Sequence, residues 1–171
     1  MKNVLKMLIP PILFAWRQNS NIFGRYSSFE DALRASGGEG YSAGNEHLVR
    51  RVKGIRDSQE PPAVWAWTTL SAVMLSAVLR SDQRLRVIDW GGGYGETCFV
   101  FREFLKEIPC IEWNIVEIQG KVLVGRREFE TSLLKFYTSI EEIDSIDTAC
   151  LLLGGVLQYL DDPYSEVAPF V

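Results

Sequence analysis

The residues best placed to do chemistry are the run Asp89-Trp90-Gly91-Gly92-Gly93-Tyr94-Gly95. Gly91, Gly93 and Gly95 stand at alternate positions directly after an apolar stretch that ends at Ile88. Glycines so placed let the chain turn sharply and let a ligand touch the backbone. The helix expected to follow presents free N–H groups and the positive end of its dipole to the same spot. The turn therefore suits a nucleotide-like ligand. Two carboxylates bracket it, Asp89 before the first glycine and Glu96 after the last. A third, Glu117, closes the next apolar run, Ile115-Val116. A carboxylate at that place can accept both hydroxyls of a ribose.

The neighbours of the glycines discriminate between ligands. A dinucleotide fold needs a third glycine three positions after the second, for close helix packing. Counting from Gly91 and Gly93, that position holds Glu96; counting from Gly93 and Gly95, it holds Cys98. A carboxylate at Glu96 also repels a pyrophosphate. No Gly-Lys-Ser/Thr occurs, which excludes a P-loop. S-adenosylmethionine (SAM) carries a sulfonium and an ammonium group, so Asp89 suits it. Glu117 supports an adenosine without choosing between SAM and a nicotinamide cofactor.

Positioning these residues requires strands that end where the chemistry begins. Apolar runs predict strands over 85–90, 111–118, 133–137 and 147–153, with helices over 96–107 and 120–130 between them. Pro61-Pro62 opens an apolar helix over 63–79, a first-turn role that suits proline. Strands alternating with helices imply an α/β fold, a parallel Rossmann-like sheet with helices on both faces. Upstream, the pattern gives a short helix over 28–35 capped by Ser27 or Ser28, and a second from Asn45 to about residue 56. Asp162-Pro163 begins a last helix. We divide the chain into an arm and helical extension, 1–60, and a Rossmann-like domain, 61–171.

The 171 residues are 47% hydrophobic and 23% charged, a globular composition. The net charge of -4 hides an asymmetry. No acid precedes Glu30, and no base follows Lys135. An acidic tail repels phosphate backbones, which argues against DNA or RNA as partner. Cys98, Cys110 and Cys150 are far apart in apolar runs, as reduced core cysteines of a cytoplasmic protein are. With one histidine, His47, no histidine metal cluster can form, and we expect no metal. Residues 1–17 are apolar with two leading lysines, and Pro10-Pro11 interrupts them. Two readings stay open: a peripheral contact with the inner face of the membrane, or an arm packed on protein.

Val87-Ile88-Asp89-Trp90-Gly91-Gly92-Gly93-Tyr94-Gly95 resembles the first motif of class I SAM-dependent methyltransferases. More narrowly, the chain is similar to a methyltransferase family often encoded among polysaccharide-biosynthesis genes. The similarity rests on Phe29 to Ala32, Gly40-Tyr41, the glycine motif and Val156-Leu157-Gln158-Tyr159-Leu160 before Pro163. The resemblance implies SAM contacts at Asp89, Gly91, Gly93, Tyr94, Gly95 and Glu117. It also implies adenine contacts at Thr138 and Ser139, and Leu153 and Gly154 beside the methionine part. We expect an acceptor that is small or carbohydrate-like, with Tyr94, Gln158, Tyr159 and Tyr164 lining its pocket. An oxygen acceptor wants a base near the operating pH, and the candidates are His47 and Asp161.

The same class normally carries seven strands, and this sequence supplies four. In the order 3-2-1-4 the run Cys150-Leu151-Leu152-Leu153 becomes an apolar edge strand, a pairing hazard. Three explanations compete: a fragment of a longer product, which we prefer, a second chain over the edge, or the N-terminal helices folded across it. The missing strands keep a second function class open, a non-catalytic SAM- or nucleotide-binding module. A nicotinamide-dependent oxidoreductase is the third, disfavoured by Glu96 and Asp89.

Overall fold

The computed structural model describes residues 26–35, 46–58, 63, 66–79, 84–106, 108–144 and 150–170. Residues 1–17, Gly40-Tyr41, Asn45, Pro61-Pro62 and 145–149, to which the sequence reading assigned roles, lie outside the described residues. The chain divides into two units, 1–41 and 42–171. In the first, helix α1 (Phe29–Ala35) begins where the Ser28 hydroxyl accepts from the Asp31 N–H at 3.1 Å. That is a serine cap on an otherwise unsatisfied first turn.

The second unit contains helices α2 (Glu46–Asp57) and α3 (Ala66–Val78), then strand β1 (Arg84–Trp90) and helix α4 (Glu96–Leu105). Strand β2 (Cys110–Val116), helix α5 (Gln119–Glu128), strands β3 (Leu134–Tyr137) and β4 (Cys150–Leu153) and helix α6 (Pro163–Val167) follow. The four strands are all parallel, in the order β3-β2-β1-β4. This is the α/β, Rossmann-like arrangement the sequence implies. The chain walks from β1 to β2 to β3 in one direction and returns to place β4 on the other side of β1. That reversal is the switch point beside which doubly wound sheets bind their ligands.

Alternation along the strands separates two faces. Leu85 and Val87 of β1, Trp113 and Ile115 of β2, and Leu134 and Phe136 of β3 point to one side. There they pack with Leu70 and Val73 of α3, Phe101 and Leu105 of α4, and Val122 of α5. This is the main core, and each described helix of eight or more residues contributes to it. The other face is covered more thinly. Ile88, Val116 and Ile143 form its buried part, with Trp90, Tyr137, Leu151 and Phe170 packed around them. Its far end is polar, where Arg86 pairs with Glu112 across the strands at 2.7 Å.

Helix α2 belongs to the unit of the sheet. It lies along α4, with Arg102 of α4 donating to the Ile55 carbonyl at 3.2 Å and Arg51 reaching Glu96 at 3.4 Å. Its opposite side reaches the end of α5, where Lys53 pairs with Glu128 at 2.6 Å. The two edges of the sheet differ. On β3 the outward carbonyl of Phe136 accepts from the Arg126 guanidinium at 2.7 and 2.9 Å, which blunts that edge. Edge strand β4 is apolar throughout and half-buried. Among the described residues no helix is long and apolar enough to cross a membrane. All three cysteines are free, and burial pushes the Cys98 thiol up to about 12.

Candidate functional site

The register of the sheet brings the candidate residues into one row. Trp90 of β1 stands opposite Val116 of β2 and Leu153 of β4, and Val116 stands opposite Tyr137 of β3. The next residue on each strand is Thr138, Glu117, Gly91 or Gly154, in that order across the sheet. At the usual strand spacing these four positions span roughly 14 Å. They sit at the carboxyl edge, with the switch point between Gly91 and Gly154. Four positions distant in sequence thus form one continuous shelf.

The glycine turn is folded onto this shelf by its own hydrogen bonds. The Gly91 N–H donates to the Val116 carbonyl at 2.9 Å, and the Gly95 N–H donates to the Gly92 carbonyl at 3.1 Å. Its members do different work. Gly92 lies against the Asp89 side chain so closely that a Cβ there would stand 2.5 Å from the carboxyl carbon. Gly93 has φ +62° and open space where a Cβ would be. It is therefore the position at which a ligand can come against the backbone. Val156, past β4, lies over Gly91, 2.9 Å from where a Cβ would sit. The Tyr94 ring turns inward: it is 2% exposed and stacks on Phe129 with centroids 5.7 Å apart. At this position the turn offers its backbone rather than its ring.

Glu117 faces Gly93. One of its oxygens, Oε1, accepts from the Gly93 N–H at 3.2 Å and from the Lys121 ammonium at 2.6 Å. The other, Oε2, accepts from the Ile118 N–H at 3.0 Å. The side chains of Lys121 and Glu117 are only 17% and 7% exposed.

Asp89 lies beneath the turn, 3% exposed, and its Oδ2 accepts from the Trp113 indole N–H at 3.2 Å. Burial raises its carboxyl to about 6; the indole bond opposes this and the Glu117 charge adds to it. A carboxylate kept so far from water at a ligand shelf is the kind of group that active sites retain against stability.

The remaining candidates are spread more widely. Thr138 and Ser139 follow β3 directly and bind the adjoining 3-10 turn, Thr138 donating to Glu142 and Ser139 bonding Glu141. Leu153 is half-buried, and Gly154 is exposed beside it. Gln158 and Tyr159 lie in the exposed 3-10 turn past Val156, and Tyr164 of α6 is 87% exposed. Asp162 caps α6, accepting from the Ser165 N–H at 3.2 Å, while Asp161 stands exposed beside it. His47 is exposed in the first turn of α2. Because α2 runs parallel to α4, His47 lies one turn beyond Arg51 toward the edge that holds the glycine turn.

Sequence reasoning missed three contributors. Lys121 was legible only as the residue four after Glu117, a spacing that brings opposite charges together. Trp113 has no local signal, because its partner lies on another strand, and Val156 stood in the segment 156–160 with nothing to show that it covers Gly91.

The sheet order defines an α/β protein with a Rossmann-like parallel sheet. Among solved structures, human N-acetylserotonin methyltransferase in complex with SAM is similar, with a TM-score of 0.43 and 17% identity. The match covers 84% of this chain and 37% of that one, so the chain spans little more than a third of that enzyme's length. No family model and no curated protein matches the chain. The fold assignment rests on the strand order itself.

Proposed function

We propose that the protein binds SAM along the carboxyl edge of its sheet and transfers the methyl group to a small or carbohydrate-like acceptor. The observation that supports this most is the Gly93–Glu117 pair: a glycine with open space above it, against a carboxylate fixed at the end of the next strand. That pair suits an adenosine whose ribose hydroxyls donate to Glu117. Buried Asp89 places a negative charge under the turn, which favours a cationic cofactor over a pyrophosphate. Thr138 and Ser139 lie on the adenine side of Glu117, and Leu153 and Gly154 on the methionine side.

When bound, SAM supplies an already activated methyl group on its sulfonium. The protein's task is then positioning and water exclusion. Gln158, Tyr159 and Tyr164 are the residues from which an acceptor pocket is built. With Asp162 engaged as a helix cap, Asp161 is the carboxylate of that pair able to take a proton from an acceptor hydroxyl. His47 is the alternative base. In this reading the protein works in the cytoplasm, with residues 1–17 touching the inner membrane face where an envelope precursor is presented.

Titration calorimetry with S-adenosylhomocysteine and with NAD is expected to give binding heat for the first and none for the second. The reverse result would make the protein a nicotinamide-binding one. The exposure of Tyr159 and Tyr164 favours one second reading, a SAM-binding module without turnover. Methyl transfer from labelled SAM into cell-envelope extracts separates it from the first.

Self-association through β4 is part of the same proposal, the occupant being a second copy. Helix α3, which packs on β1 and β4, carries no charged residue between Ala66 and Leu79, yet Trp67, Leu75, Val78 and Leu79 are exposed. A two-fold axis normal to the sheet would pair the β4 edges and set two α3 helices antiparallel. The flank of α3 turned toward β4 is the one with Ser76, which bonds Cys150; Ala72 and Leu79 lie beside it with no like charges to appose, while Trp67 packs on Phe104 of α4 on the other flank. Sedimentation is expected to show a monomer–dimer equilibrium that Leu75→Lys with Leu79→Lys shifts to monomer. A wild-type protein monomeric at all concentrations would overturn it.

A further inference from the structure

We infer that Lys121 is a latch on the ribose position, an internal cation that occupies Glu117 and must leave it for the cofactor to be held. This rests on the SAM reading above. An ionised carboxylate has about four lone-pair positions. Glu117 already uses three, for the Gly93 N–H, the Ile118 N–H and the Lys121 ammonium. Oε1 carries two of these bonds and Oε2 one, so a single acceptor position is left on Oε2. A ribose offers two adjacent hydroxyls, and bidentate acceptance needs one position on each oxygen. One resident donor on Oε1 has to give way.

The two backbone donors are fixed. Gly93 belongs to a turn locked by its own hydrogen bonds, and Ile118 caps α5. Lys121 is the donor that can move, since four rotatable carbons carry its ammonium. Its position already disfavours it. Lys121 lies in the first turn of α5, where the helix dipole repels a cation, and no acid shares that turn. The Glu117 contact at 2.6 Å offsets that repulsion. Lys121 and the ribose diol therefore compete for one oxygen, and the ion pair sets the affinity of the site from within.

The consequence has an unusual sign. Removing a positive charge from the site should tighten binding of a cationic cofactor. Lys121→Met is expected to bind S-adenosylhomocysteine roughly tenfold more tightly than wild type, the size of one modest, partly buried ion pair. Lys121→Arg keeps the charge and is expected to stay near wild type. Adenosine should gain in the Met variant as well, whereas 2′,3′-dideoxyadenosine, which has no diol, should gain nothing. Calorimetry of the three proteins with the three ligands reads all of this, and thermal melts show that each variant is folded. If wild type binds S-adenosylhomocysteine and Lys121→Met leaves that affinity unchanged or weakens it, Lys121 supports the ligand and the latch is overturned alone. An equal gain for the dideoxy ligand overturns it too. Absence of binding to any ligand by all three folded proteins removes the SAM reading and the latch with it.

Discussion

Asp89→Asn is expected to stabilise the protein at pH 8 by roughly 3 kcal/mol, with the gain vanishing below about pH 4. The carboxyl of Asp89 is held at about 6 against an ordinary 3.8, chiefly by burial. Between those two values the folded protein keeps the proton and the unfolded chain does not. Stability therefore falls as pH rises through that window, and above pH 6 the folded state bears the full cost of a buried charge. The gap between 3.8 and about 6 corresponds to roughly 3 kcal/mol. Asparagine keeps the shape and can still accept from the Trp113 indole, but carries no charge. Urea titrations of both proteins at pH 4, 6 and 8 test this. Curves that stay parallel across the series would show that Asp89 does not titrate in this window. The same substitution should weaken SAM by roughly tenfold and S-adenosylhomocysteine less, because only SAM carries the sulfonium charge.

That residue also shows where the sequence is legible and where it is not. Asp89 stood out because a carboxylate closed an apolar run, and its place two residues before Gly91 marked the site. Its burial, its indole partner and its contact with Gly92 depend on β2 and on the path of the turn, which no local spacing encodes. The parallel sheet was readable for a related reason, whereas its order came only from the class the glycine motif resembles. Continuous apolar runs separated by helical periodicity imply parallel strands, and the observed order β3-β2-β1-β4 is the one the resemblance implied.

Boundaries moved where side chains act on the site or where helix ends are set by local bonds. Strand β2 was expected to run to Ile118 but stops at Val116, since Glu117 turns to meet Gly93 and Ile118 caps α5. The apolar helix was expected from Ala63 but starts at Ala66, where the Ala66 N–H closes a turn onto the Ala63 carbonyl. Asp161 and Asp162 were equivalent in the sequence. Only the bonds from Ser165 to Asp162 separate the cap from its exposed neighbour. Aromatic residues were the least legible. Tyr94 and Tyr164 are alike as letters, yet one is core and the other is almost wholly exposed.

The glycine turn itself is the sharpest test, because adjacent glycines should fail in opposite ways. Gly92→Ala is expected to destabilise the fold by roughly 2–3 kcal/mol. Its new methyl would meet the Asp89 carboxyl carbon at 2.5 Å and both carboxyl oxygens below 3 Å, in a region with no room to relax. Gly93→Ala meets nothing within 4 Å, so its stability cost is limited to about 1–2 kcal/mol for an alanine at positive φ. The methyl would project into the open space over the turn, where the proposed adenosine would come against the backbone. S-adenosylhomocysteine binding by Gly93→Ala is therefore expected to fall about a hundredfold, since displacing a ligand from its hydrogen bonds costs several kcal/mol. Denaturation and calorimetry on the two variants give a crossed pattern: Gly92→Ala is lost first to urea, Gly93→Ala first to the binding assay. Equal binding by wild type and Gly93→Ala would place the ligand elsewhere on the shelf. A stable Gly92→Ala would show that the Asp89 carboxyl can move away from the turn. The crossed result would make the turn two devices in adjacent residues, a seal over a buried charge and a floor for the ligand.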